Sequence, residues 1–293
     1  ANYYGALYHS FNYRDNTYTI NLKSGKPGTQ TKIVSVEPSV PGVKLRNEVM
    51  ASAKNANDAW IYGGPETATL LIQGTIPANR SSFAVKGAMH HPDACFRAEL
   101  EKRLKGKGIT LDKQKIEDGE RHALFTLVSP FLKDIVYYTN KNSINLFAEA
   151  LGELISPTDY ARTVKAELSG MGIDSCGITL KDASGLSPAN AVPAEVFTDL
   201  LIWAKGHLSD VFVASLPQGN VDWGLRIYSD HPILRGNILA KTGSMSGVRA
   251  LAGYLKTQRG ETLAFTILVN NYVGDPVKVQ EIIRDLLKEF ADK

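Results

Sequence analysis

Along the first third of the chain, short apolar runs alternate with turn-forming residues. Residues 17–22 (TYTINL), 32–38 (KIVSVEP), 58–64 (DAWIYGG), 68–77 (ATLLIQGTIP) and 81–87 (SSFAVKG) are rich in β-branched and aromatic side chains, and Gly, Pro and Asn punctuate them. This pattern predicts a β-rich module. One helix is expected from about Pro92 to Lys105, with Pro92 in its first turn and Phe96, Leu100 and Leu104 on one face. Gly106 and Gly108 then end it.

From about residue 119 the pattern changes to longer helical periods. Residues 122–128 (HALFTLV) read as a strand, and Ser129-Pro130 as a cap and first turn for the helix that follows. Residues 140–142 (NKN) break that helix, and 143–155 (SINLFAEALGELI) resume as another, with Leu146, Leu151 and Leu154 in its apolar set. Further helices are expected to start at Ser156-Pro157 and at Pro193. Two apolar strands, 248–255 and 262–269, surround a short turn at 258–261. The tail from Pro276 places Val279, Ile282, Ile283, Leu286, Leu287 and Phe290 at helical spacing. The expected class is α/β (α+β), with a β-rich module at 1–118 and an α/β module at 119–293 whose last strands are antiparallel neighbours.

Composition narrows the possible functions. The chain has 293 residues, of which 43% are hydrophobic and 22% charged, which is enough core material for two ordinary domains. No run approaches the ~20 apolar residues of a membrane span. The net charge of +3 comes from interspersed residues with no Lys/Arg block, so nucleic acid is not an expected partner. Lys105, Lys107, Lys113 and Lys115 read as a solvated face. Cys95 and Cys176 lie far apart, and nothing in their spacing supports a disulfide. The adjacent His90 and His91 point in different directions and no H-E-x-x-H occurs, so no metal is expected. Residues 243–247 (GSMSG) approach the G-x-S-x-G of a Ser-His-Asp hydrolase but carry Met245 in the serine slot.

The chemistry-bearing stretch is AKTGSMSGV at 240–248. A phosphate loop needs G-x-x-x-x-G-K-[ST]; here Ala240 fills the second glycine position, and no helix pattern opens after Lys241. Alone, a Lys-Thr-Gly is most simply a surface strand ended by a turn. It has company, however: Ser143-Ile144-Asn145 forms an S-x-N at the head of a strong helix about a hundred residues earlier. That order of motifs belongs to active-site-serine, penicillin-interacting enzymes. Residues 143–151, 181–190 (KDASGLSPAN), 215–225 (SLPQGNVDWGL), 238–255 and 263–271 also follow one another as they do in one group of them. The chain resembles the class C low-molecular-mass penicillin-binding proteins, the D-alanyl-D-alanine carboxypeptidase/endopeptidase family. The resemblance spans nearly the whole chain, including 60–77, which is similar to the domain that family inserts within its catalytic domain.

The resemblance implies a penicillin-binding, transpeptidase-like antiparallel sheet flanked by helices, preceded here by the inserted β-rich domain. It implies peptidoglycan stem peptides and β-lactams as ligands, no cofactor, and a periplasmic or envelope location in a bacterium. Ser143 would relay a proton toward the leaving amine. Asn145 would hold a catalytic lysine and donate to the substrate amide. Lys241 would raise the local positive potential and anchor the substrate carboxylate, with the Thr242 and Ser244 hydroxyls hydrogen-bonding it. Gly243 would leave the strand edge open to substrate backbone, and the Ser244 N–H would be half of an oxyanion hole, such a donor being worth ~3 kcal/mol. The simplest alternatives are an N-cap for Ser143 and a polar first-turn residue for Asn145. Two departures from the family stand out: Ser244 where Thr is commoner, and Trp223 in a slot that is usually small.

The family's nucleophile motif, S-x-x-K, does not occur: no serine of the chain has Lys three residues on. The resemblance places that motif before residue 1. It therefore implies either a chain without its nucleophile segment or a non-catalytic homologue that binds peptidoglycan or a protein partner. A β-lactamase shares the motifs, but the inserted domain disfavours it.

Overall fold

The computed structural model describes residues 2–110, 123, 125–208 and 210–293. The chain divides into two compact units, Ala1–Leu127 and Val128–Lys293. The expected boundary near 118 falls at residues outside those described.

The first unit holds six strands: β1 (Thr17–Lys23), β2 (Lys32–Glu37), β3 (Lys44–Ser52), β4 (Asp58–Tyr62), β5 (Thr69–Pro77) and β6 (Phe83–Ala88). They form two three-stranded sheets, β2-β1-β6 and β3-β5-β4; all neighbours run antiparallel except the parallel pair β3–β5. Alternate residues of both sheets make one core: Tyr18, Ile20 and Leu22 of β1 with Val49, Ile61, Leu70, Ile72, Ile76 and Val85. The period-2 pattern that predicted the strands is what buries this row.

One strand escaped the pattern. In β3 the inward row is Leu45, Asn47, Val49 and Ala51, and the polar Asn47 interrupts the apolar alternation. Its amide donates to the Thr31 carbonyl at 2.8 Å, so the polar group is satisfied where the pattern asked for an apolar one.

Helix α1 (Pro92–Gly106) begins and ends as predicted, but it buries Pro92 and Cys95 rather than the expected face. Phe96 and Leu100 are exposed, and Phe96 packs instead against the rings of Phe11 and Tyr13. Burial pushes the Cys95 thiol up to about 11. Both cysteines are free, Cys176 being exposed. Lys105 and Lys107 are exposed as expected, whereas Lys113 and Lys115 lie outside the described residues.

The second unit contains α2 (Leu132–Asn142), α3 (Asn145–Ile155), α4 (Tyr160–Gly170), α5 (Ala194–His207), α6 (Asp210–Ser215) and α7 (Pro276–Ala291) around strands β7 (Ile238–Met245), β8 (Val248–Lys256) and β9 (Thr262–Asn270). The strands form one antiparallel sheet in the order β7-β8-β9. Its two faces follow from alternation. Ile238, Ala240, Leu251, Leu255, Phe265 and Ile267 pack against Ile283 and Leu287 of α7. Leu239, Ala252, Tyr254 and Ala264 face Leu201 of α5 and Phe212 of α6. The helix-flanked antiparallel sheet is therefore present. Half of the expected apolar set of α7 meets the sheet, while Ile282, Leu286 and Phe290 stay exposed.

Several boundaries differ from expectation. Residues 123 and 125–128 are not strand, and Phe125, Leu127 and Val128 are exposed; an apolar run becomes a strand only beside a partner, and among the described residues none pairs with it. Helix α2 starts at Leu132, after Phe131, and not at Ser129-Pro130. Helix α4 starts at Tyr160, because the Asp159 carboxylate, not Ser156, accepts from a first-turn N–H, that of Arg162. Leu154, assigned to the apolar set of α3, is 78% exposed.

Candidate active site

Strand β7 is an edge of its sheet, and its outer side is only partly covered. The Ala240 N–H donates to the Pro217 carbonyl at 2.9 Å, and the Gly219 N–H donates to the Ile238 carbonyl at 2.8 Å. Backbone groups of an antiparallel strand face alternate sides, so the next outward-facing pairs belong to Thr242 and Ser244. The strip from Lys241 to Met245 is thus an open ladder on a rigid sheet.

Behind the strip, the register sets small residues opposite the motif: Lys241 faces Ala252 and Gly243 faces Ala250. A side chain at Gly243 would press on the Ala250 methyl at 3.2 Å and meet nothing else within 4 Å among the described residues, so glycine keeps this point of the strand free of a tight contact and leaves space beside it.

Lys241 shares its face with Leu239, which directs its amine to the turn between α2 and α3. Nζ donates to Ser143 Oγ at 2.8 Å and to the Thr242 carbonyl at 2.8 Å. Burial holds the amine below the usual lysine range, and no Asp or Glu among the described residues forms an ion pair with it. Ser143 is not an N-cap. It ends α2 in the left-handed conformation, φ 53°, and Ile144 is the residue that precedes α3. A non-glycine residue there costs about 1–2 kcal/mol, and the strain presents the hydroxyl to Lys241. Asn145 opens α3 and is half-buried. Ser143, Lys241 and Thr242 are therefore brought together across 98 residues of chain.

A second set of contacts positions this turn, and nothing in the sequence singled it out. Lys141 Nζ, at the end of α2, donates to the Leu216 carbonyl at 2.7 Å and to Asp222 Oδ2 at 3.1 Å. The same Asp222 oxygen accepts from the Gln218 N–H at 2.6 Å. Asn140 adds a bond to Ser215 Oγ at 2.8 Å. The residues that cover the near end of β7 are thus tied to the helix end that carries Ser143. In sequence, Lys141 was only the middle of a helix-breaking NKN. Likewise, Glu149 of α3 accepts from the N–H groups of Ala183 and Ser184, fixing the 181–190 loop, whose own turn is organised by Asp182.

On the other face of the strand, a side chain at Gly224 would lie 3.6 Å from Thr242 Oγ1. Gly224 and Trp223 border a cleft of about 470 Å³ with Arg226, Ile227, Asp230 and Gln280. Trp223 is 87% exposed, which makes it a projecting rim and not a core residue. Ser244 is exposed and its hydroxyl accepts a bond from Arg249 Nη1. No cluster of metal-ligating side chains occurs among the described residues. None of their helices is long and apolar enough to cross a membrane.

A helix-flanked antiparallel sheet with Lys-Thr-Gly on its open edge and Ser-x-Asn facing it is the arrangement of penicillin-binding, transpeptidase-like proteins. The chain belongs to the D-Ala-D-Ala carboxypeptidase 3 (S13) family, whose model matches residues 1–293. It is 30% identical over 271 residues to a D-alanyl-D-alanine carboxypeptidase of Actinomadura sp. (strain R39), covering 83% of this chain and 49% of that protein. It is 29% identical over 224 residues to D-alanyl-D-alanine carboxypeptidase DacB of Haemophilus influenzae, covering 70% of this chain and 46% of that one. The crystal structure of penicillin binding protein 4 (dacB) from H. influenzae superposes with a TM-score of 0.78 at 24% identity, over 99% of this chain and 69% of that one. That likeness shows the fold. The chain spans about half the length of the curated relatives it matches.

Proposed function

We propose that this chain forms the substrate-holding part of a serine-type D-Ala-D-Ala carboxypeptidase/endopeptidase that acts on peptidoglycan stem peptides through an acyl-enzyme. The nucleophile and its lysine would come from a segment that these 293 residues do not contain, since no S-x-x-K occurs among them. The observation that carries the reading is the bond from Lys241 to Ser143 beside an open β7 edge.

On that edge, substrate backbone would pair with Thr242 and Ser244 as an added strand. The outward-facing Ser244 N–H would donate to a developing oxyanion. Lys241 donates one of its hydrogens to Ser143 Oγ, so the Ser143 proton is directed elsewhere, as relaying a proton to a leaving amine requires. Asn145, one turn position on, would hold the incoming lysine. The first unit is the C-terminal part of the domain inserted in this family, and the protein works in the periplasm or cell envelope, where the substrate lies. β-Lactams would bind as mimics of the same peptide.

A fluorescent penicillin tests this reading. Covalent labelling is expected for the product of the complete gene and not for the 293-residue chain. Failure of the complete product to label would overturn the enzyme reading in favour of a non-catalytic homologue that binds peptidoglycan or a partner protein.

A further inference from the structure

We infer that Arg249, with Ser244, forms the group of this site that selects ligands ending in a free α-carboxylate, while Lys241 serves Ser143. The inference rests on the reading of β7 as a peptide-binding edge. The two cations lie on opposite faces of the sheet. Lys241 is in the row of Leu239, and its amine is committed to Ser143 Oγ and the Thr242 carbonyl. Arg249 stands directly across from Ser244 in the register and shares the row of Leu251, on the α7 side.

The surroundings of Arg249 hold it in place without neutralising it. Nη1 donates to Ser244 Oγ, to the Val248 carbonyl at 3.1 Å and to the Met245 carbonyl at 3.4 Å. The guanidinium sits 5.7 Å from the ring centroid of Tyr272, a cation–π contact. Its Nε is buried and has no hydrogen-bond partner among the described residues. No Asp or Glu among them forms an ion pair with it. A half-buried cation without a counter-charge is costly, and an anionic ligand would relieve that cost.

The hydroxyl beside it gives the direction. Ser244 Oγ accepts from Arg249, so its own proton must be donated to another acceptor, and this residue lies on the open part of the edge. A carboxylate there would accept from Ser244 and, in the same row, from Thr242, with the guanidinium as its counter-charge. A neutral carboxamide offers one oxygen and no charge, and leaves Arg249 as it is.

Titration of this chain with an N-acylated D-Ala-D-Ala dipeptide, and with the same dipeptide as its C-terminal carboxamide, tests the assignment. Followed by calorimetry or ligand-observed NMR, the carboxylate is expected to bind about 10- to 100-fold tighter. Arg249→Met should reduce that preference to a few-fold or less, and Arg249→Lys should leave an intermediate one. Should the Met variant lose its folded spectrum, the Lys variant decides alone. Unchanged preference in the folded variants would overturn the role of Arg249 while leaving the peptide site standing, as would equal binding of both ligands by the parent chain. Binding of neither ligand by the parent chain would sink the peptide-site reading and this inference with it.

Discussion

The first unit and the β7 edge of the second treat charged groups in opposite ways. In the first, charges that approach one another are matched: Arg14 and Arg103 share Glu99, Arg46 meets Glu48, and Lys54 meets Asp58. Its inward-facing Asn47 is bonded on the spot. At the β7 edge, Lys241 and Arg249 sit half-buried without a carboxylate partner among the described residues, Ser143 is held at positive φ, and two backbone N–H groups face outward. The ion pairs of the first unit are closed within the fold, whereas the cations of the β7 edge keep a charge that an anionic ligand could meet.

The largest expected effect separates the two by truncation. Ile72→Ala, at a fully buried position of β5, should cost about 2–5 kcal/mol, whereas Ser244→Ala on the exposed edge should stay within about 0.5 kcal/mol. Urea unfolding of both variants measures the difference, and equal losses would break the comparison.

Next in size is Lys241→Met, which removes an unmatched cation. It is expected to raise stability by roughly 0.5–2 kcal/mol, because an amine held half-buried without a counter-charge is lost. Burial lowers the pKa of this amine, so between that lowered value and the ordinary lysine value of about 10.4 the unfolded chain binds the proton better than the folded one. Stability should therefore rise with pH across that window in the parent chain, and this rise should be missing in the variant. Denaturant curves at pH 7.5 and 10 check it; a stability loss in the variant would mean that the bonds to Ser143 and Thr242 outweigh desolvation.

The smallest effect tests one of three exceptions within the first unit, where His9 Nε2, the Tyr18 hydroxyl and His90 are buried without a hydrogen-bond partner among the described residues. Both ring nitrogens of His90 are buried without a partner among the described residues, and burial above all holds its imidazole below the ordinary value. Acidification protonates the unfolded chain first, so stability should fall as pH drops below about 6.5. His90→Leu should fall less between pH 7.5 and 5 in the same denaturant assay; parallel declines would remove His90 from the account.

Much of the fold was legible because its signals are local. Period-2 runs gave five of the first unit's strands and both β8 and β9, and Pro92, Pro193 and Pro276 marked three helix starts. The misses share a cause. Asn47 broke the alternation of β3 because its partner, Thr31, lies 16 residues away. Phe125 and Leu127 read as strand because apolarity without a partner strand is ambiguous. Ser156 lost the cap of α4 to Asp159, three residues on. In the site, the Ser-x-Asn and Lys-Thr-Gly motifs were readable as an ordered pair, but Lys141, Asp222 and Arg249 carry no motif and appear only where the chain folds back.

By itself, then, the sequence determined most of the element types, the Ser-x-Asn and Lys-Thr-Gly motifs, the family and the absence of an S-x-x-K within these residues. Each of these depends on residue identity and spacing alone. Tertiary structure decided that Lys241 turns to Ser143, that β7 is capped only as far as Ala240, and that Arg249 stands unmatched behind Ser244. These facts depend on which distant segments meet and how much water their meeting removes, and neither periodicity nor motif spacing contains that information.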